Sequence, residues 1–69
     1  MQLSARNVIA GRITAVKLGS VEAEVLLELS PGVVVTSVIT RASAERLGLK
    51  EGMEASAVIK ASDVMLAVQ

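Results

Sequence analysis

The segment from Val21 to Leu29 constrains the fold more than any other part of this chain. Val21, Ala23, Val25, Leu27 and Leu29 are apolar, Glu22, Glu24 and Glu28 take alternate places, and Leu26 is the one break. Successive side chains on a strand point to opposite faces, so a period of two predicts a strand with one face in a core and the other in water. Ser30-Pro31-Gly32 is turn chemistry. The next run, Val33 to Ile39, is β-branched everywhere except Ser37 and predicts a second strand. The two strands read as a hairpin. Glu22, Glu24 and Glu28 are then the solvated side of an amphipathic strand rather than paired carboxylates for acid–base work.

The same reading extends both ways along the chain. Asn7 to Val16 carries Val8, Ile9, Ile13 and Val16 around Gly11, and a glycine inside a strand pattern signals a bulge or bend. Lys17-Leu18-Gly19-Ser20 is the turn into the next strand. Thr40 to Gly52 holds the helical candidate, with Thr40 as cap, helix-favouring Ala42, Ala44, Glu45, Arg46 and Leu47, and Gly48 where a left-handed terminator belongs. Glu54 to Lys60 alternates again, and Val64 to Val68 is expected to be a final strand. The expectation is an all-β chain: a small five-stranded OB-like barrel with one short helix between strands three and four.

Composition matters at this point because the barrel is small. The chain has 69 residues, enough for a single domain over 1–69, and a domain this small buries only about 60% of its unfolded surface. It is 52% hydrophobic with no aromatic residue, no cysteine and no histidine. Disulfides are excluded, as are the usual zinc and copper ligands, so no metal site of that kind is expected. Apolar surface that a monomer would leave wet points to self-association. Seven basic and seven acidic residues cancel, which disfavours non-specific contact with nucleic acid or an anionic membrane. A nucleic-acid-binding OB barrel would also need aromatic platforms, which are lacking. No apolar run approaches a membrane span and no signal-peptide pattern opens the chain, so a cytoplasmic location is expected. Without His or Cys there is no nucleophile–base pair and no general base near neutrality, and an enzyme is not expected.

Two polar segments remain, Ser4-Ala5-Arg6-Asn7 and Lys60-Ala61-Ser62-Asp63. Each alone reads as a solvated arm or a turn. Together they offer two cations, two hydroxyls and a carboxamide, all able to donate hydrogen bonds. A tetrahedral dianion needs several donors converging on it with modest positive charge, and such a set suits it. Asp63 reads as a turn organiser, since a carboxylate repels an anion. Gly19-Ser20-Val21 is either an ordinary hairpin turn or a third donor loop, its glycine allowing close backbone approach.

Ser4-Ala5-Arg6-Asn7, Gly11, Ala23-Glu24-Val25, Thr36-Ser37-Val38-Ile39 and Ala57-Val58-Ile59-Lys60-Ala61-Ser62-Asp63-Val64 resemble the molbindins, the small molybdenum-pterin-binding or Mop proteins with a TOBE-like domain. The resemblance covers nearly the whole chain. It implies an OB-like fold assembled as a homo-hexamer, a trimer of dimers with strands exchanged between subunits. It also implies molybdate binding at subunit interfaces, tungstate as a mimic, and a role in molybdenum storage and homeostasis. A module that senses molybdate and reports to a partner protein is the other role it allows. By motif match, Ser4, Ala5, Arg6 and Asn7 line the oxyanion site from one subunit, Lys60, Ala61 and Ser62 contribute from elsewhere in the assembly, and Gly19, Ser20 and Val21 form a further contact. The chain has no aromatic ring to stack a pterin, so the oxyanion itself is the expected ligand.

Overall fold

A computed structural model of the chain describes Ser4 and residues 6–69. Four strands and one α-helix follow one another as β1 (Asn7–Leu18), β2 (Glu22–Ser30), β3 (Val33–Thr40), α1 (Arg41–Leu47) and β4 (Glu54–Ile59), and a 3₁₀ turn covers Ala61–Asp63. The strands form one sheet in the order β3-β2-β1-β4, and every neighbouring pair is antiparallel.

The hairpin of β2 and β3 forms as its alternation dictates. Ala23, Val25 and Leu27 are buried, Leu29 is half-buried, and Glu22 stands in water. Pro31 and Gly32 make the connection, with Gly32 at φ 79°, where only glycine is at ease. The register slips between Glu28 and Ser30, which leaves Leu29 as a bulge. Val21 departs from the expected pattern: it precedes the strand and is 72% exposed.

β1 is shared by two partners. Its first half pairs with β4, from Asn7↔Ile59 to Arg12↔Glu54, and its second half pairs with β2, from Arg12↔Glu28 to Leu18↔Ala23. Two features let it bend between them. A bulge falls between Ile13 and Ala15, where Thr14 is the extra residue. Gly11 lies so close to β2 that a Cβ there would stand 2.7 Å from the Glu28 carbonyl oxygen. The expected bend at Gly11 is thus a close approach, with the bulge itself at Thr14. Beyond the bulge, Ile13 keeps its backbone bonds by pairing with Gly52 and Met53 at 2.7 and 2.8 Å.

α1 is bounded as its sequence indicates. The Thr40 hydroxyl accepts from the Ser43 amide at 3.0 Å, and Gly48 ends the helix at φ 65°. The core is small and aliphatic: Ile13, Val25 and Leu27 at the centre, with Val16, Leu29, Ile39, Leu49, Ala55 and Ala57 packed around them.

The expected fifth strand is not formed. Residues 64–69 carry no ladder, and Met65, Leu66 and Val68 are 93%, 91% and 96% exposed. The reason lies in the sheet. β3 and β4 are its two edges, and between them lies an open cleft of about 760 Å³ lined by Ile13, Val25, Leu27, Val35, Ala57 and Ile59. The described residues therefore form a curled four-stranded sheet, not a closed five-stranded barrel. No helix among them is long and apolar enough to cross a membrane.

Candidate functional site

The β1–β4 ladder brings the two polar end segments together. Asn7 and Ile59 are register partners, and the Asn7 carboxamide donates to the Ile59 carbonyl at 3.3 Å. That bond spans 52 residues of sequence. It fixes Arg6, just before Asn7, beside Lys60, just after Ile59. Asn7 is half-buried, whereas Ser4, Arg6, Lys60, Ala61 and Ser62 are exposed. Ala5 lies outside the described residues.

The second segment turns because Lys60 caps a single 3₁₀ turn. The Asp63 amide donates to the Lys60 carbonyl at 2.8 Å, and the Val64 amide to that of Ala61 at 3.3 Å. Asp63 organises this turn through its backbone, and it also lines the cleft between β3 and β4. The result is an exposed corner carrying two cations, the Ser62 hydroxyl and one anchored carboxamide. Such a corner can donate hydrogen bonds to an oxyanion.

Gly19, Ser20 and Val21 are not part of that corner. They follow β1, whose 12 residues span about 36 Å of backbone from first to last, at a rise of roughly 3.3 Å per step. One small anion cannot touch both ends of that strand within a single chain. The turn has its own construction. Gly19 N–H donates to Glu22 O at 2.7 Å, Arg41 N–H donates to Val21 O at 2.8 Å, and the Arg41 guanidinium donates to Gly19 O at 3.2 Å. A shallow depression beside it is lined by Lys17, Gly19, Glu22 and Glu24 among others.

A family model for the TOBE domain matches residues 3–66 of this chain. The chain belongs to the TOBE domain family. Relatives with this domain carry names that agree with one another. Molybdenum-pterin-binding protein 3 of Clostridium pasteurianum is 54% identical over 66 residues, covering 96% of this chain and 97% of that protein. Among solved structures, apo MopII from Clostridium pasteurianum superimposes with a TM-score of 0.89 at 46% identity, over 97% of this chain and 100% of its own. The cytoplasmic molybdate-binding protein ModG, in a form with molybdate bound, gives a TM-score of 0.93 at 48% identity, over all of this chain and 49% of its own.

Within this TOBE domain, the sequence alone does not reveal Arg41. It sits at the start of α1, where a helix-forming residue needs no special reason, yet its guanidinium reaches a carbonyl 22 residues away. The one signal available is its place directly after the capping Thr40, at the end of a strand paired with the residue that follows Val21.

Proposed function

We propose that this protein binds molybdate through the corner made by Ser4, Ala5, Arg6 and Asn7 with Lys60, Ala61 and Ser62, in sites completed by further copies of the same chain. The carrying observation is the Asn7–Ile59 pairing, which gathers donors from both ends of the sequence into one exposed corner. The names of the relatives supply the ligand: they are molybdenum-pterin-binding or molybdate-binding proteins. Molybdate is a tetrahedral dianion whose oxygens meet the protein first, and serine, amide and cationic donors suit those oxygens.

Several features support completion by other copies. Apart from the half-buried Asn7, the corner is open to water, and a dianion held only there would keep most of its hydration. The cleft between β3 and β4 is apolar and unfilled, while residues 64–68 are apolar and unpaired. Exchange of a terminal strand between subunits would close each barrel and cover both edges. The Gly19–Val21 turn of one subunit can meet an anion only if that anion lies against another part of the assembly. We read the whole of 1–69 as a single domain, assembled as a hexamer of three strand-exchanged dimers. It holds molybdate, and its mimic tungstate, for cytoplasmic storage and homeostasis.

Titration calorimetry with molybdate, beside light scattering of the same sample, tests this. Saturable binding by a particle several times 7.1 kDa is the expected result. A monomer that takes up neither molybdate nor tungstate refutes it.

A further inference from the structure

Taking the molybdate-binding reading as its basis, we infer that Arg41 is the positioning residue of the Gly19–Val21 turn. Its side chain holds the Gly19 carbonyl so that the Ser20 amide faces outward as an oxyanion donor, with the unpartnered Val21 amide beside it. The bonds are specific. The side chain of Arg41 takes the Gly19 carbonyl at 3.2 Å, and its backbone N–H takes the Val21 carbonyl at 2.8 Å. The Gly19 amide is used inside the turn, on Glu22 O. Among the described residues, no acceptor takes the N–H of Ser20 or Val21. Fixing a carbonyl fixes its peptide plane, and with it the opposite direction of the next amide, because the peptide is planar and trans. Arg41 ties the Gly19–Ser20 plane from its oxygen side and so aims the Ser20 N–H away from the helix. The Arg41 backbone bond to Val21 O anchors the following peptide, so Ser20 is the amide that Arg41 aims, a donor of the kind that lines an anion-binding nest.

Charge alone would not do this. Around the turn Lys17 and Arg41 stand against Glu22 and Glu24, which line the same depression or flank it, and Glu45, whose Oε1 lies 3.4 Å from the Arg41 Nε. There is no cationic excess, so any hold on a dianion rests on oriented donors. Glu45 shares the guanidinium and weakens its pull on the Gly19 carbonyl. A lysine at 41 could keep the charge and one bond, but not the planar fork that serves Gly19 O and Glu45 together.

Amide proton–nitrogen correlation spectra during molybdate titration test the assignment, with melting temperature and particle mass recorded for each variant. In the unaltered protein the Ser20 and Val21 amides shift as one anion contact, and those of Asn7 and Lys60–Ser62 as a separate one. Arg41→Met should raise the half-saturation concentration at Ser20 and Val21 by about tenfold, the scale of one lost charge-assisted bond, and leave that at Lys60–Ser62 unchanged. Arg41→Lys should recover part of the loss. Glu45→Gln, which leaves the turn's own bonds in place, should lower the half-saturation concentration at Ser20 and Val21. Equal response of Ser20 and Val21 in Arg41→Met and the unaltered protein overturns the assignment. So does silence of those amides in the unaltered protein while Lys60–Ser62 respond, a result that leaves molybdate binding itself intact. Silence at every position removes the binding reading and this assignment together. Should Arg41→Met not fold, Glu45→Gln decides: unchanged or weaker response at Ser20 and Val21 counts against the clamp.

Discussion

Replacing Gly11 with alanine tests how the sheet is bent. The added Cβ would stand 2.7 Å from Glu28 O, 3.0 Å from Leu27 Cγ and 3.1 Å from Leu29 Cδ2. The two leucine atoms can give way by rotation. The carbonyl cannot, because Glu28 is held on both sides, opposite Arg12 of β1 and Val34 of β3. The strands must separate by several tenths of an ångström, just where β1 passes from one partner to the other. Overpacking of this kind costs about 1–3 kcal/mol. Alanine returns roughly 0.5–1 kcal/mol by restricting the unfolded chain. The central values leave a net loss of about 1.25 kcal/mol, which for a domain of this length lowers the melting temperature by roughly 5–10 °C. Thermal unfolding followed by circular dichroism reads it, at matched protein concentration because self-association contributes to stability. A midpoint equal to or above that of the unaltered protein would refute the close-approach account of Gly11.

Three further outcomes follow from the geometry. Arg6→Ala should weaken molybdate affinity by about 1.5–3 kcal/mol, the worth of a hydrogen bond to a charged group, and calorimetry showing unchanged affinity would take Arg6 out of the site. Deleting residues 65–69, of which Met65, Leu66 and Val68 are more than nine-tenths exposed, should leave the monomer fold alone but reduce the particle mass in light scattering; an unaltered mass would dismiss strand exchange by this segment. Thr40→Ala removes the hydroxyl that caps α1 and should cost about 1 kcal/mol in urea denaturation, with no change expected in the slope of the transition.

The parts legible in the sequence are those set by local chemistry. Alternation gives β2 its buried face, and Thr40 and Gly48 bound α1 as capping rules require. Gly11 announces a constraint on β1 without revealing its kind, since a close approach is visible only once β2 lies alongside. Val21 continues the alternation in sequence, but its carbonyl is taken by the Arg41 amide at the mouth of the hairpin, and its side chain stays outside. Residues 64–68 have the composition of a strand but join neither open edge of their own sheet, β3 or β4; pattern reports what a segment favours, not what it pairs with. The candidate site divides in the same way. Residue types in the two end segments indicate donors for an anion, while their meeting depends on a register 52 residues apart. Arg41 is invisible for the same reason, because a clamp across 22 residues leaves no periodic trace.

The sharing of β1 also orders events in time. Its second half, with β2 and β3, is a meander of neighbours in sequence, which an emerging polypeptide can form as soon as those residues leave the ribosome. Its first half must wait, since Asn7 has no mate until Ile59 has been made. A nascent chain therefore acquires most of its sheet before it acquires the corner that gathers Arg6 and Lys60. On the proposed reading, an unfinished copy lacks the corner that would meet the anion.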